Sequence, residues 1–324
     1  MNRPGSATAA RRNALILVVA TGILLVGCSS APAASPSPSA SGQYPGWPGS
    51  GTVVANGDLV PLVVNADLAI DTTRVMIDLQ DSAGRSLATV DLSLQIALYD
   101  LASSTGVPVR NDSGTFRWLI PDTKAIYTAP TSFSHAGVWG IEVTARASGT
   151  ADRTARTTFS VRQASYTPAI GAPAPASDTL TATDPTAIVA ISTDPRPDPN
   201  FYALSIPDAI AAGKPFVVVF ATPAYCTSGA CGPALDLVKQ VAAAYVGTVN
   251  FIHVEPYLLQ VTDGRTQPEV DVLGHPQPIR AVIEWGLPTE PYVFVVDATG
   301  TVAAKFEGMA YPDELITALD ALLN

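Results

Sequence analysis

The sequence predicts two folded domains, an all-β sandwich followed by an α/β domain, and three observations support this fold class. Residues 52–163 contain short runs in which apolar and polar residues alternate, a pattern typical of antiparallel strands with one buried face. From residue 188 to residue 324, strand-like and helix-like segments alternate, as an α/β fold requires. Residues 164–187 are rich in Pro, Thr and Ala and indicate a linker between the domains. A chain of 324 residues is long enough to bury both cores.

The amino-terminal residues 1–27 have the pattern of an export signal. Three arginines precede an uncharged apolar run, residues 14–26, which is too short to span a membrane comfortably. The run leads into a Leu-Val-Gly-Cys tetrad that resembles a bacterial lipobox, in which the cysteine thiol receives a diacylglycerol after cleavage. A plain secretory signal is the alternative. We therefore expect lipidation of Cys28 and a lipid-anchored protein on the extracytoplasmic face of the bacterial cell membrane.

Residues 28–51 form a Ser/Pro-rich tract with little to bury, so we expect an extended, solvated tether. The whole chain has 18 basic and 28 acidic residues and a net charge of −10 at pH 7. This balance excludes nucleic acid as an expected partner, because its phosphates would be repelled. With Cys28 assigned to the lipid, two cysteines remain, and a pair outside the cytoplasm is normally able to form a disulfide.

The predicted strands of the first domain are marked by alternating residues such as Val75, Ile77 and Leu79. Two sheets packed face to face satisfy this pattern, so we expect an immunoglobulin-like β-sandwich over residues 52–163. The segments AGVWGIEVTA and TTFSVR are similar to the immunoglobulin-like modules of bacterial surface lipoproteins. No cysteine pair can bridge the sheets, which excludes an antibody-type domain. We expect this domain to act as a spacer or docking surface.

The α/β elements are predicted from apolar pattern and capping residues. Ser205 can cap a short helix, FVVVF has the composition of a fully buried strand, and a proline followed by two acids favours the start of the last helix. The DATG segment indicates a hairpin between the last two strands. The predicted helices are 205–212, 233–245, one within 278–286, and 312–323; the predicted strands are 216–220, 249–254, 292–296 and 302–306.

The segment FATPAYCTSGACGPALD contains the cysteine pair, Cys226 and Cys231, with four residues between them. Residues five apart on a helix point about 140° away from each other, so a disulfide requires residues 227–230 to loop. The helix should then begin at Gly232-Pro233, where the missing N–H of proline costs nothing. Cys231 would lie at the positive end of that helix, which favours thiolate over thiol.

Roughly residues 190–324 resemble the thioredoxin-like family. The resemblance depends on FATPAYC leading into CGP, on WGLPTEPYVFVVD, and on GTVAAKFEG followed by an amphipathic helix. It implies a thioredoxin-like fold over residues 188–324 and a redox-active cysteine pair. It also implies that Pro291 is the cis-proline beside the cysteines, that Tyr225 is the aromatic residue before the attacking cysteine, and that Glu290 contacts the extended chain of a substrate.

The sequence departs from the family at the cysteines, which are separated by four residues instead of two. Alignment by the strand makes Cys226 the attacking residue and Cys231 its resolving partner, which is the assignment we favour. Alignment by CGP makes Cys231 the attacking residue instead. A carboxylate at Glu290 would raise the pKa of the thiol and disfavour acidic partners; an ordinary surface glutamate in a turn explains that residue equally well.

The sequence therefore predicts a thiol–disulfide oxidoreductase that acts on protein thiols or disulfides and needs no cofactor. A permanent disulfide is one alternative, although a six-residue ring would contribute only about 2 kcal/mol. Another is a binding module that has lost the chemistry, or a copper carrier in which Cys226, Cys231 and a later residue, His253, His275 or Met309, hold Cu(I). The spacing does not fix the histidine. No Ser-His-Asp set, phosphate loop or zinc signature stands out.

Overall fold

Strands are the main regular elements of the computed structural model, which describes residues 44–49 and 52–323. The first eight strands follow one another along the chain with no helix between them in this described stretch. They are β1 (Val53–Asn56), β2 (Val60–Val63), β3 (Arg74–Gln80), β4 (Ser93–Asp100), β5 (Arg110–Ile120), β6 (Lys124–Pro130), β7 (Gly137–Arg146) and β8 (Arg153–Val161).

These eight strands form one antiparallel sheet in the order β1-β8-β7-β4-β5-β6-β3-β2. The edge strands β1 and β2 are joined by residues 57–59 alone, so the sheet curls towards a barrel. Its interior is filled by apolar side chains at alternating strand positions. They include Leu59, Val75, Ile77, Leu79, Leu94, Ile96, Tyr127, Trp139, Ile141 and Val143.

The predicted fold class, an immunoglobulin-like sandwich followed by an α/β thioredoxin-like fold, is wrong. A sandwich needs two separate sheets, whereas these strands form a single continuous one. The link is the long strand β5, which pairs with β4 over Arg110–Gly114 and with β6 from Thr115 onward. The rest of the chain adds small sheets and a few helices, and the structure as a whole is mostly β. Alternating patterns define one buried face per strand but not how strands join, which explains the error.

The second sheet has four strands in the order β10-β9-β13-β14. Strands β9 (Phe216–Phe220) and β10 (Asn250–Val254) are parallel, and β13 (Tyr292–Val296) is antiparallel to both β9 and β14 (Val302–Glu307). A separate hairpin pairs β11 (Leu259–Thr262) with β12 (Arg265–Pro268). Every residue of β9 and of β13 is buried, because apolar residues cover both faces of this sheet.

The helices of the described residues pack mainly around this second sheet. They are α1 (Pro185–Ile191), α2 (Ile206–Ala211), α3 (Cys231–Ala242), α4 (Arg280–Glu284) and α5 (Pro312–Leu323), with a 3₁₀ turn at Pro199–Tyr202. The longer pair, α3 and α5, cover one face through Leu235, Val238, Leu315 and Leu319, which pack with alternate residues of β9 and β13. None of these helices is long and apolar enough to cross a membrane, a statement that applies to the described residues.

The eight-stranded sheet is held against β14 and α5 by two arginines. Arg74, on β3, pairs with Glu314 and donates to the carbonyl oxygens of Glu307 at 2.7 Å and Met309 at 3.0 Å. Arg117, on β5, donates to both carboxylate oxygens of Asp313 at 2.9 and 2.6 Å. Since each arginine makes several contacts in one geometry, the two sheets are fixed relative to each other at this junction.

Residues 44–49 pack on the eight-stranded sheet, although we expect them to be solvated as part of the tether. Trp47 is 5% exposed, lies edge-on to Tyr99 with ring centroids 4.7 Å apart, and donates from Nε1 to the carbonyl oxygen of Thr105 at 2.9 Å. Gly140 makes room for it, since a Cβ there would lie 2.5 Å from the indole ring. The extended tether therefore cannot include this segment.

The other domain boundaries stay predictions. Part of the predicted linker pairs with the second sheet: Gly171 donates its N–H to the carbonyl of Val302 at 2.8 Å, and Ala174 donates to Gly300 at 2.8 Å. The predicted export signal, the lipidation residue Cys28 and the first part of the tether lie outside the described residues.

Candidate functional site

The two cysteines form a disulfide at the start of α3. The chain leaves β9 at Ala221 and makes two turns, in which Tyr225 donates its N–H to Thr222 and Gly229 donates to the carbonyl of Cys226 at 3.1 Å. Gly229 has a φ of +72°, which favours glycine. The Cα atoms of Cys226 and Cys231 are 5.9 Å apart in the disulfide. The prediction that residues 227–230 must loop is confirmed.

The two sulfurs have different surroundings. Cys231 is the first residue of α3, is fully buried, and packs in the core with residues of β9 and α3. Cys226 is half-buried. Its Sγ accepts a hydrogen bond from the backbone N–H of Cys231 at 3.2 Å and lies 3.2 Å from Oγ of Ser228. We expect Cys231 to lie next to the free amides of the helix. In the structure, the sulfur that accepts a hydrogen bond from such an amide is that of Cys226.

Pro291 heads the strand beside this loop. The Glu290–Pro291 peptide bond is cis, in agreement with the expectation for Pro291, and the carbonyl of Pro291 accepts from the N–H of Gly308 at 2.9 Å. The carboxylate of Glu290 accepts from the hydroxyl of Tyr257 at 3.2 Å. Burial, followed by the charge of Glu290, raises the pKa of Tyr257 to about 12, so the phenol stays a donor at neutral pH.

Tyr225, the aromatic residue before Cys226, is tied to the β11–β12 hairpin. Its hydroxyl donates to the carbonyl of Thr266 at 2.9 Å, while 39% of the residue stays exposed. Thr266 in turn donates from Oγ1 to the carbonyl of Val189 at 2.6 Å. Tyr225 is thus tied to the hairpin through its hydroxyl while part of the residue stays exposed to solvent.

His253 uses both ring nitrogens within the protein. Nε2 lies 2.9 Å from the carbonyl of Ala221, so it must donate, and Nδ1 lies 2.9 Å from the hydroxyl of Tyr202 and accepts from it. Burial lowers the pKa of His253 to about 4. The other histidine considered, His275, is exposed and lies 3.4 Å from Asp271. Among the described residues, no group of three or more His, Cys, Asp and Glu side chains could hold a metal ion.

Glu255 is a buried acid that the sequence did not single out as functional. Its carboxylate accepts from both the N–H and the hydroxyl of Thr193 at 3.0 Å. Oγ1 of Thr193 also accepts from the N–H of Ala224, two residues before Cys226. Burial raises the pKa of Glu255 to about 7. The signal in the sequence was a glutamate directly after a buried strand. Its hydrogen-bond partner Thr193 is distant in the chain, so the sequence does not indicate this contact.

The end of strand β5 covers one side of the disulfide loop. Cδ1 of Ile120 lies 3.0 Å from the position that a Cβ on Gly229 would take. Leu119 packs against a small cluster formed by Ala230, Ala234, Met309 and Tyr311. The hydroxyl of Tyr311 donates to the carbonyl of Trp118 at 3.1 Å. The eight-stranded sheet therefore contributes directly to the surroundings of the cysteines, which the sequence did not predict.

A cavity of about 160 Å³ lies between the eight-stranded sheet and the cysteine loop. The loop lines it through Ser228 and Ala230, and the cis-proline segment lines it through Thr289, Glu290 and Pro291. The remaining lining residues are Val64, Met76, Asp78, Leu119, Lys124, Ile126, Glu307 and Gly308. The structure thus brings the cysteine loop, Glu290 and Pro291 to one opening.

Comparison with known proteins gives no match to a family model, to a curated protein or to a solved structure.

Proposed function

We propose that this protein is a membrane-anchored, extracytoplasmic thiol–disulfide oxidoreductase that acts on protein partners through Cys226 and Cys231. The observation that carries the proposal is the unequal exposure of the two sulfurs. Cys226 is half-buried and lies at the amino-terminal end of α3, whereas Cys231 is sealed in the core. A disulfide with one approachable sulfur and one protected sulfur suits stepwise exchange.

The helix end favours the chemistry at Cys226. Once the disulfide opens, the sulfur of Cys226 keeps the hydrogen bond from the N–H of Cys231, and a charge-assisted bond of this kind stabilises a thiolate. The helix dipole adds to the effect. The N-cap of α3 is Ala230, which has no polar side chain that could accept hydrogen bonds from the first amides of the helix. Cys226 is therefore the attacking residue and Cys231 the resolving one.

Exchange from the disulfide form proceeds in two steps. A partner thiolate attacks Sγ of Cys226, the partner–Cys226 bond forms, the bond to Cys231 breaks, and Cys231 leaves as a thiolate that takes up a proton. A second partner thiolate then attacks the partner's own sulfur, which forms the partner disulfide and releases Cys226. The partner loses two electrons and two protons, which the two cysteines gain. The reverse sequence reduces a partner disulfide, and the redox state of the surroundings sets the direction.

The neighbouring residues position the partner. Pro291 holds the extended backbone of the partner beside Cys226, and Glu290 and Tyr225 contact the partner. Lipidation at Cys28, followed by the tether, keeps the exchange site outside the membrane; in cells, Cys28→Ala is expected to move the protein from the membrane fraction to the soluble fraction.

The test is a trap in whole cells. Cys231→Ala removes the resolving thiol, so partner proteins should accumulate on Cys226 as mixed disulfides that a reductant releases. The double variant with Cys226→Ala is the control and should trap nothing. Empty traps with Cys231→Ala and with Cys226→Ala, together with a reduction potential below about −300 mV, would indicate an inert disulfide instead. Stoichiometric Cu(I) binding by the reduced protein, abolished by Cys226→Ser and with no trapped partner, would favour the copper carrier.

A further inference from the structure

Resting on the proposed function, we infer that the cavity between the eight-stranded sheet and the cis-proline segment selects the partner. It takes an apolar side chain of about the size of leucine or phenylalanine, two residues from the partner's reacting cysteine, in a segment that also carries a basic residue. The first sheet would then be part of the substrate site and not merely a spacer.

The cavity has the size and lining for such a side chain. Its volume of about 160 Å³ is close to the roughly 150 Å³ that accommodates benzene in an apolar protein cavity. Met76 and Ile126 of the sheet are 6% and 3% exposed, and on the other wall Ala230 is 2% exposed. Pro291 is buried as well. An apolar side chain placed here would leave water for a largely apolar surface, which is favourable.

The cavity opens next to the reactive sulfur. Ser228 lines the cavity, and its Oγ lies 3.2 Å from Sγ of Cys226. Successive side chains of an extended chain point to opposite faces, so residues two apart share a face and lie about 7 Å apart. A partner whose apolar side chain occupies the cavity can therefore bring a cysteine two residues away to Cys226. Pro291 lies along the same path.

The charges at the cavity favour a basic residue. Asp78 and Glu290 line it and accept hydrogen bonds from neutral groups, Gln80 at 2.8 Å and Tyr257 at 3.2 Å. Glu307 also lines it, but its carboxylate is taken up by the backbone N–H groups of residues 66 and 67. Among the described lining residues, three side chains are acidic and one, Lys124, is basic. The net charge of −10 adds to the attraction for a basic segment.

The two walls are held in place without a partner. The Arg117–Asp313 pair and the bond from Tyr311 to Trp118 join the end of β5 to the start of α5. Arg74 joins β3 to the carbonyl oxygens that follow β14. Because these contacts define the spacing of the walls, the cavity is preorganised, which lowers the cost of binding.

The experiment measures how fast cysteine peptides open the disulfide of the full protein, by acid quench and mass spectrometry of the mixed disulfide. We compare peptides containing Lys-Phe-Gly-Cys, Lys-Gly-Gly-Cys and Glu-Phe-Gly-Cys, together with free cysteine. The wild-type protein should react at least about tenfold faster with Lys-Phe-Gly-Cys than with Lys-Gly-Gly-Cys, and more slowly with Glu-Phe-Gly-Cys than with Lys-Phe-Gly-Cys.

Variants then test whether the preferences for Phe over Gly and for Lys over Glu depend on the cavity. Val64→Trp fills the cavity from its rim, where Val64 is 40% exposed, and should bring the Phe/Gly rate ratio close to one. Val54→Trp, at a position 53% exposed on β1, is the matched control and should retain the ratio. Asp78→Asn should reduce the Lys/Glu ratio, and Asp91→Asn, an exposed control, should not.

The outcomes separate the two proposals. Reaction with free cysteine and with every peptide at similar rates would overturn the selective cavity and leave the exchange activity intact. A Phe/Gly preference that Val64→Trp leaves unchanged would also overturn it. No mixed disulfide with any thiol would mean that the proposed function itself has failed.

Discussion

The backbone N–H of Cys231 donates a hydrogen bond to Sγ of Cys226, 3.2 Å away, so the first amide of α3 stabilises the sulfur of the other cysteine. This contact does not depend on the Cys231 side chain. It connects helix geometry directly to the reactivity of one cysteine.

Alkylation should distinguish the two thiols. In Cys231→Ala, Cys226 keeps its amide donor and its partial exposure, so native protein should react with iodoacetamide at neutral pH faster than unfolded protein does. In Cys226→Ala, the buried Cys231 should react only after denaturation. Mass spectrometry over time provides the measurement. Equal rates for the two native variants would contradict the assigned roles.

The arginine at the junction of the sheets should be important for stability. Arg74→Ala leaves Glu314 and two carbonyls without their donor at a site where the arginine side chain is 11% exposed, so we expect a loss of about 3 kcal/mol in the free energy of unfolding. Arg85→Ala is the control, because that arginine pairs with Asp81 but is 79% exposed. Its loss should cost much less, because solvent screens an exposed ion pair. Urea unfolding measures both, and similar losses would argue against a fixed junction.

Two buried groups should give opposite pH dependences of stability. His253 has a folded pKa of about 4 against 6.5 in the unfolded chain, so between these values the unfolded state binds more protons and stability rises with pH. Glu255 has a folded pKa of about 7 against 4.5, so between these values the folded state binds more protons and stability falls as pH rises. Each contribution is about 3 kcal/mol, and in the wild type they largely cancel.

Variants should reveal how each group changes the free energy of unfolding with pH. Urea unfolding from pH 4 to pH 7 provides the measurement. Relative to wild type, Glu255→Gln should gain stability as pH rises, since the His253 contribution remains. His253→Asn should lose stability over the same range. His275→Asn, an exposed control, should keep the wild-type profile. If Glu255→Gln and His253→Asn both follow the wild-type profile, the two groups are not buried as described.

Docking of residues 44–49 can be tested with a double-mutant cycle. Trp47→Ala should cost about 3–5 kcal/mol, as for other buried tryptophans. Gly140→Ala places a methyl group against the indole ring and should also destabilise the protein. In the Trp47→Ala background the same glycine change should cost much less, because the clash is gone. Additive costs would mean that the tryptophan does not pack on Gly140.

Much of the local structure was predictable from the sequence. The strands at Phe216–Phe220 and Tyr292–Val296 and the last helix, Pro312–Leu323, begin and end where the apolar pattern and the capping residues predict. Ser205 caps α2 as expected, with its hydroxyl accepting from the N–H of Asp208 at 3.2 Å. These features depend on neighbours in the chain, which a sequence displays directly.

The long-range arrangement was not predictable in the same way. Strand β5 changes partner between Gly114 and Thr115, which turns the expected two sheets into one, and nothing in its alternating pattern indicates the change. The loop between the cysteines followed from helix geometry, but its cover by Ile120 and the burial of Glu255 arise from contacts between distant segments. The cysteine pair could therefore be found from the sequence, whereas its surroundings could not.

The most direct measurement is the site at which a small thiol first attaches to the disulfide form of the protein. Brief exposure to free cysteine, acid quench and peptide mapping identify the modified residue. We predict that the adduct forms on Cys226, with Cys231 released as a free thiol. Attachment to Cys231, or a disulfide that stays closed until the protein unfolds, would contradict the claim that one sulfur is open to exchange and the other is sealed.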